Sequence, residues 1–184
     1  MVRSARAFTL IETMIVVTLV GILAVVATLA YQRWVRTAYL SEAQDMVNNI
    51  RAAEESFRAE NGGYLGISAG LGPPSYDYPA PTPGKFKTAW GGTCAGCAPG
   101  MQWSMLNIQP SAPLAFGYSV VASNATASAG FAFSVNGQAL SVANGMPAPW
   151  YFVEADGDTD GNGVFTHVYG MSATNQIFID NEGE

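Results

Sequence analysis

The run FTLIETMIVVTLVGILAVVATLAY, from Phe8 to Tyr31, decides how this chain is built, because its 24 residues contain one charged side chain, Glu12. About 20 apolar residues span the ~30 Å hydrocarbon core of a bilayer, so the run predicts a membrane-spanning helix. A cleaved secretory signal is the alternative, but its apolar region would be shorter, about 7–15 residues. Arg3 and Arg6 precede the run, and the positive-inside rule therefore predicts a cytoplasmic N-terminus.

The composition supports a membrane-anchored protein rather than a soluble enzyme. Of 184 residues, 49% are apolar and only 12% are charged, which excludes a disordered chain. The net charge is −6, and six of the eight basic residues precede residue 61. The chain as a whole has no electrostatic reason to bind nucleic acid, and no direct nucleic-acid binding is predicted.

A helical pattern continues beyond the membrane run. No proline interrupts residues 8–60, and Asn61-Gly62-Gly63 then supplies residues that end helices. A continuous helix of this length would measure about 80 Å, so half of it must stand in the aqueous space. One narrow apolar stripe at spacings of three and four predicts the face that packs on the rest of the chain, formed by Tyr39, Ala43, Met46, Ile50, Ala53 and Phe57.

The remainder of the chain predicts loops followed by a sheet. Residues 62–100 are rich in glycine and proline, with aromatic residues that need burial. Short β-rich runs separated by turn signals then predict an antiparallel meander of four or five strands, at 116–123, 130–137, 149–155, 163–170 and 176–180. The predicted fold class is α+β, with the sheet covering the apolar stripe of the long helix.

The segment Ala7-Phe8-Thr9-Leu10-Ile11-Glu12, followed by an apolar and then an amphipathic helix, resembles the N-terminus of type IV pilins and type II secretion pseudopilins. The resemblance implies a leader peptide at 1–7, removed by a membrane prepilin peptidase between Ala7 and Phe8, and N-methylation of Phe8. It further implies a transmembrane and filament-core helix at 8–31, an amphipathic helix at 32–60 and a head at 61–184.

Two departures from the family pattern concern processing and filament type. Ala7 precedes the cleavage site where the family usually has glycine, so processing is expected to be normal or slower. Leu29 stands where major pilins usually carry a helix-breaking proline, which favours a minor pilin or a pseudopilin.

Glu12 is the candidate assembly residue. A carboxylate inside a spanning helix costs about 2.5–3.5 kcal/mol on insertion scales and usually has a partner. By the resemblance, that partner is the Phe8 amine of a neighbouring subunit. The alternative is that Glu12, one turn inside the membrane, only reaches back to the cytoplasmic interface.

Two further motifs are candidate sites in the head. Oxygen-bearing side chains at alternate positions predict a calcium loop, although His167 replaces the glutamate that would close it, and a self-capped turn is the alternative; the candidate ligands are Asp156, Asp158, Asp160 and Asn162. Cys94 and Cys97 lie in a loop and favour a short disulfide. No cofactor other than this candidate calcium is expected.

The sequence offers no catalytic set, because His167 is the only histidine and lies in a predicted strand. The predicted function is therefore structural: a subunit that polymerises with other pilins through its N-terminal helix. Its partners would be prepilin peptidase, the inner membrane and the pilus assembly machinery. It would cross the inner membrane once before assembly and lie in an extracellular pilus or a periplasmic pseudopilus afterwards. The alternative is a membrane-anchored extracytoplasmic binding module that never polymerises.

Overall fold

The long helix α1 is the axis of the molecule. A computed structural model describes residues 9–73, 75–91, 94, 96–97, 100, 102–124, 132–135, 138–141 and 149–182. α1 runs over Leu10–Asn61, 52 residues, which corresponds to about 78 Å at 1.5 Å per residue. It ends at Gly62, whose φ of 78° lies in the left-handed region that glycine adopts without strain. The helix end predicted from Asn61-Gly62-Gly63 is confirmed.

In the described part of the chain, six strands follow α1, and four of them form the main sheet. They are β1 (Gly117–Ser123), β2 (Ala132–Val135), β3 (Gln138–Ser141), β4 (Trp150–Gly157), β5 (Thr166–Met171) and β6 (Thr174–Asp180). The main sheet is antiparallel, in the order β1-β4-β5-β6, and β2 pairs with β3 in a separate hairpin. The predicted α+β class, a long N-terminal helix on an antiparallel sheet, is confirmed.

The prediction of one continuous meander is wrong for the run at 130–137. β1 pairs directly with β4, and the hairpin between them lies outside the main sheet. Phe133 of β2 explains this placement, since its ring packs 5.3 Å from that of Phe152 and 5.1 Å from that of Tyr169. The hairpin thereby covers apolar rings on the sheet face that α1 does not reach.

The core lies between α1 and the inner face of the sheet. The fully buried residues there include Val47 and Ile50 of α1 with Tyr118, Val120 and Val153 of the strands. All six residues of the predicted stripe contact the core: three are buried, and Tyr39, Ala53 and Phe57 are partly buried and pack against it. The buried face is wider than the stripe, since it also includes Leu40, Val47 and Glu54.

Two strand boundaries differ from the prediction and affect the candidate sites. β4 extends to Gly157, so Asp156 is a strand residue rather than part of a loop. β5 begins at Thr166 instead of 163, because Gly161 and Gly163 adopt φ values of 79° and 86° and continue the turn.

Candidate functional site

The N-terminal half of α1 is an uncovered apolar surface. Residues 9–34 are all exposed, and Leu10, Val17 and Leu23 each expose about two thirds or more of their area, at 76%, 70% and 66%. By length and composition, α1 can cross a membrane, and the apolar part that would do so has no share buried inside the protein. Such a surface needs lipid or other helices around it.

Glu12 and Thr9 form a reciprocal cap at the start of α1. The Thr9 backbone N–H and hydroxyl donate to Glu12 Oε2 at 2.8 and 2.7 Å. The Glu12 backbone N–H donates in turn to Thr9 Oγ1 at 3.3 Å. Because Thr9 is the N-cap and Glu12 the third helical residue, this is a capping box. The isolated chain thus supplies polar partners for Glu12 from its own first turn.

The other N-terminal candidates cannot be placed in the same way. Ala7 and Phe8, the predicted cleavage site, and the predicted leader at 1–7 lie outside the described residues. The intersubunit role of Glu12 stays a prediction, since it requires a second chain.

Cys94 and Cys97 are joined by a disulfide, with their Cα atoms 5.4 Å apart. Cys97 also pairs with Ser68 in an isolated β-bridge. Both half-cystines are partly buried and pack against the core between α1 and the sheet, so the disulfide closes a short loop that lies on this core.

The acidic turn between β4 and β5 is organised by its own side chains. Asp158 Oδ1 accepts the backbone N–H groups of Gly161 and Asn162 at 2.7 and 3.1 Å, and Oδ2 accepts that of Gly163 at 3.0 Å. Asp160 forms a 3.4 Å ion pair with Arg36 of α1. The turn therefore has the contacts of a capped hairpin fixed to the helix.

The four candidate calcium ligands do not lie together: three are in the turn, and Asp156 is beside His167. Asn162 Oδ1 accepts the Val164 N–H at 2.6 Å, and the Asn162 side-chain N–H donates to Asp160 Oδ2 at 3.2 Å. Asn162 and Asp160 therefore lie in the turn with Asp158. Asp156 lies on β4 in direct contact with the His167 ring. The calcium site stays a prediction, and Asp156 belongs to a different cluster in this structure.

That second cluster, which we call the His167 cluster, consists of Asp77, Glu154, Asp156 and His167. His167 Nδ1 contacts Asp156 Oδ1 and lies 3.5 Å from Glu154 Oε1. The His167 ring stacks on Tyr169 with 5.9 Å between ring centres, which holds its orientation. Asp77 and Asp156 are almost fully buried, at 2% and 0% exposure.

Burial and mutual charge shift the pKa values in the His167 cluster. Burial, followed by the charges of Asp156 and Glu154, raises the pKa of Asp77 to about 9. Burial also raises the pKa of Asp156 to about 6, against the lowering effect of His167. Burial lowers the pKa of His167, but the hydrogen bonds and charges of Asp156 and Glu154 outweigh it and raise that pKa to about 10. The cluster therefore concentrates carboxyl groups around one basic group.

The sequence analysis singled out His167, and Asp156 as a candidate calcium ligand, but missed the other two members of this cluster, Glu154 and Asp77. Asp156 was assigned to the loop after the predicted strand at 149–155, although Glu154 and Asp156 stand two residues apart, the spacing that places side chains on one face of a strand, and His167 alternates in the next predicted strand. That signal was present. Asp77 had no comparable signal, since it lies in the glycine- and proline-rich region and reaches the sheet only in the folded chain.

The fold and the N-terminal segment together resemble those of pilins: a long helix, apolar and uncovered in its first half, packs through its second half on an antiparallel sheet. The profile of the prokaryotic N-terminal methylation motif matches residues 2–28. Fimbrial protein EcpC of Eikenella corrodens is 36% identical over 67 residues, which is 36% of this chain and 44% of that protein. These matches confirm the resemblance to the type IV pilin family.

The matched region spans less than half of the fimbrial relative, 44% of its length. No solved structure matches this chain. The likeness to a fimbrial protein therefore concerns a part of that relative.

Proposed function

We propose that this chain is a structural subunit of a type IV pilus-like filament, held in the inner membrane by α1 and polymerised through the same helix. The observation that carries the proposal is the uncovered apolar surface of residues 9–34. Lipid surrounds that surface in the membrane, and neighbouring copies of α1 surround it in a filament. The matched methylation motif and the likeness to a fimbrial protein support the same function.

Processing follows the family pattern in this proposal. Prepilin peptidase cleaves between Ala7 and Phe8, and the new Phe8 amine is methylated. Before cleavage the N-terminus is cytoplasmic, and the head, residues 61–184, is extracytoplasmic. The disulfide between Cys94 and Cys97 fits that location, since disulfides persist in oxidising compartments.

Within this class we favour a minor subunit, with a type II secretion pseudopilin as the alternative. α1 contains Leu29 without a break and has no proline anywhere between Leu10 and Asn61. A chain with uninterrupted backbone hydrogen bonds resists local melting in that part of the helix. A subunit present in few copies would tolerate such a helix more readily than one that forms the whole filament.

The test is Ala7→Leu in the native cell, with the mature N-terminus read by mass spectrometry of sheared filaments and of membranes. We expect wild-type filaments to contain subunits that begin at methylated Phe8. Ala7→Leu should leave full-length precursor in the membrane and no subunit in filaments, because the peptidase site requires a small residue. Ser4→Leu is the matched control, since it adds the same bulk to the leader away from the cleaved bond.

Two results would overturn the proposal. Filaments that contain uncleaved Ala7→Leu protein would show that processing is not required. Wild-type protein that keeps Met1 and never leaves the membrane would instead identify a bitopic anchored binding module.

A further inference from the structure

The His167 cluster lies on the outer face of the sheet, away from α1. Asp156 is directly opposite His167 in the β4–β5 register, and Glu154 is two residues earlier on β4. Because side chains alternate along a strand, Glu154, Asp156 and His167 all emerge on the same face. The inner face at these positions carries Val153, Ala155 and Val168, which pack in the core.

Three side chains present ligand atoms at close range. One oxygen each from Glu154 and Asp156 and one ring nitrogen of His167 lie within 4.8 Å of one another. The 3.5 Å between His167 Nδ1 and Glu154 Oε1 is close to the ligand–ligand separation of about 3.4 Å expected when two ligands bind a tetrahedral ion at about 2.1 Å. Asp156 Oδ1 contacts the same nitrogen too closely for both atoms to bind one ion, so Asp156 would bind through its unpartnered Oδ2. His167 keeps 24% of its side chain exposed, so an ion can enter from solvent.

The fourth residue, Asp77, approaches the cluster because position 117 on the neighbouring strand is a glycine. Gly117 pairs with Asp156 in the β1–β4 register. A Cβ added at Gly117 would lie 2.6 Å from Asp77 Cβ and 2.9 Å from the Ala80 carbonyl oxygen. Glycine at this position therefore allows the loop that carries Asp77 to lie directly on the sheet beside Asp156.

These buried carboxylates lack the hydrogen bonds that burial normally requires. Within the described part of the chain, both oxygens of Asp77 and Oδ2 of Asp156 have no hydrogen-bond partner and almost no contact with solvent. Buried charges in proteins are paired or coordinate metals, because an unsatisfied buried carboxylate is costly. His167 contacts Asp156 only through Oδ1, so Asp156 Oδ2 and the two oxygens of Asp77 are the atoms left for a cation to bind.

We propose that Glu154, Asp156 and His167, with Asp77 as the fourth residue, bind one divalent transition-metal ion of the zinc type. The donor set is one imidazole nitrogen and carboxylate oxygens, which zinc accepts in four-coordinate sites. Calcium and magnesium prefer all-oxygen surroundings, so the histidine discriminates against them. This site is separate from the turn at 158–163, whose carboxylates bind backbone N–H groups and Arg36.

The bound ion would link the loop that carries Asp77 to the two central strands of the sheet, β4 and β5. Without the ion, that loop is held near Asp77 by backbone hydrogen bonds between Tyr78 and Tyr118, at 3.0 and 2.8 Å. A metal bond from Asp77 would add a connection between the glycine-rich region and β4. Zinc would then stabilise the head by mass action, whether or not the chain enters a filament.

The test is zinc titration of the full chain in mild detergent, after treatment with a chelator and its removal. We expect one zinc ion per chain by calorimetry and elemental analysis, a higher melting temperature with zinc, and no displacement of the bound zinc by calcium. His167→Gln should weaken zinc binding by about tenfold or more. Asp156→Asn, which preserves the side-chain shape, should do the same.

The matched control is Asp160→Asn, which removes a nearby carboxylate outside the cluster and should leave the zinc affinity unchanged. The proposal is overturned if wild-type protein binds no zinc at micromolar concentrations. It is equally overturned if His167→Gln binds zinc as wild type does, or if calcium binds in competition with equal affinity. The wild-type titration decides the question even if a variant fails to fold.

Discussion

Gly170 of β5 lies directly against Val47 of α1, and this contact sets how closely the sheet approaches the helix. A Cβ added at Gly170 would lie 2.8 Å from Val47 Cγ1 and 2.9 Å from Arg51 Cδ. Arg51 passes over the sheet edge and donates to the Thr174 and Asn175 carbonyls at 2.9 and 3.1 Å. The missing side chain at Gly170 thus permits both the packing of Val47 and the anchoring of the β5–β6 end to α1.

Gly170→Ala should therefore destabilise the head. The flexible Arg51 side chain can move, but Val47 is fixed in a helix, so the strand or the helix must shift at a cost of about 1–3 kcal/mol. We expect a melting temperature lower by several degrees, measured by circular dichroism on the full chain in detergent. Gly84→Ala is the control, because a Cβ there meets nothing within 4 Å. Equal melting temperatures for the two variants would contradict the close-contact interpretation.

Removing the Glu12 carboxylate should affect assembly and leave membrane insertion intact. Glu12→Val makes insertion easier, since it removes a charge from the apolar segment. If Glu12 exchanges its Thr9 hydrogen bonds for the Phe8 amine of a neighbour, the variant will be processed and yet nearly absent from filaments. The measurement is the ratio of filament to membrane protein in cells that also express wild type.

Thr18→Val provides the matched control for Glu12→Val. The Thr18 hydroxyl donates to the Met14 carbonyl at 2.8 Å in the same apolar segment, so its removal changes polarity without touching the capping box. Normal incorporation of Glu12→Val alongside wild type would refute the intersubunit pairing. Thr9→Val, which deletes the hydroxyl of the capping box, should incorporate better than Glu12→Val, since the carboxylate remains.

Glu54 should make the head less stable as the pH rises. Burial raises the pKa of Glu54 from 4.5 to about 7, the Leu65 N–H lowers it, and the Glu55 charge raises it. The folded chain therefore holds this proton more tightly than the unfolded chain. The resulting stability is complete below pH 4.5 and is lost as the pH rises to about 7, by up to about 3 kcal/mol.

Glu54→Gln removes this pH dependence and keeps an acceptor for the Leu65 N–H, which Glu54 Oε2 accepts at 2.9 Å. We expect the variant to melt higher than wild type at pH 8 and to lose that advantage at pH 4.5. Glu60→Gln is the control, because Glu60 is exposed on the last turn of α1. A constant difference between Glu54→Gln and wild type across this pH range would contradict the buried, raised-pKa assignment.

Asp158 should be essential to the acidic turn with or without a cation. Its carboxylate accepts three backbone N–H groups, so Asp158→Ala leaves these donors without their acceptor and should cost about 1–3 kcal/mol. Melting of the full chain with calcium and with chelator measures both this loss and the predicted calcium site. The calcium prediction requires wild type to melt higher with calcium and Asp158→Ala to show no difference; identical wild-type melts would leave only the capped turn.

Local patterns predicted the elements that depend on neighbouring residues alone. Periodicity and the glycines after Asn61 predicted α1 and its end, because helix hydrogen bonds and caps connect residues a few positions apart. Alternation predicted most of β1, β4, β5 and β6. The motif around Glu12 was enough to indicate the family, since its order of basic leader, phenylalanine, glutamate and apolar run is specific.

Which of these elements pack against one another could be learned only from the tertiary structure. The sequence placed the run at 130–137 in a single meander, whereas its described part, β2, lies across the outer face, because Phe133 packs its ring on Phe152 and Tyr169. Likewise the buried face of α1 includes Leu40 and Val47, which lie outside the predicted stripe. Helical periodicity defines an apolar side, but the neighbour that packs there decides which residues are covered.

What the sequence determined by itself is the architecture along the chain: an apolar helix with one carboxylate, its amphipathic continuation, and β-strands after it. Those features follow from hydrophobicity and backbone preferences, which act over short distances in the chain. The His167 cluster was decided only by the tertiary structure. Asp77 is 77 residues closer to the N-terminus than Glu154, and it reaches that residue's neighbour Asp156 because glycine at position 117 leaves room for its loop. Contacts across such a separation depend on how the sheet and loops pack, which no local pattern specifies.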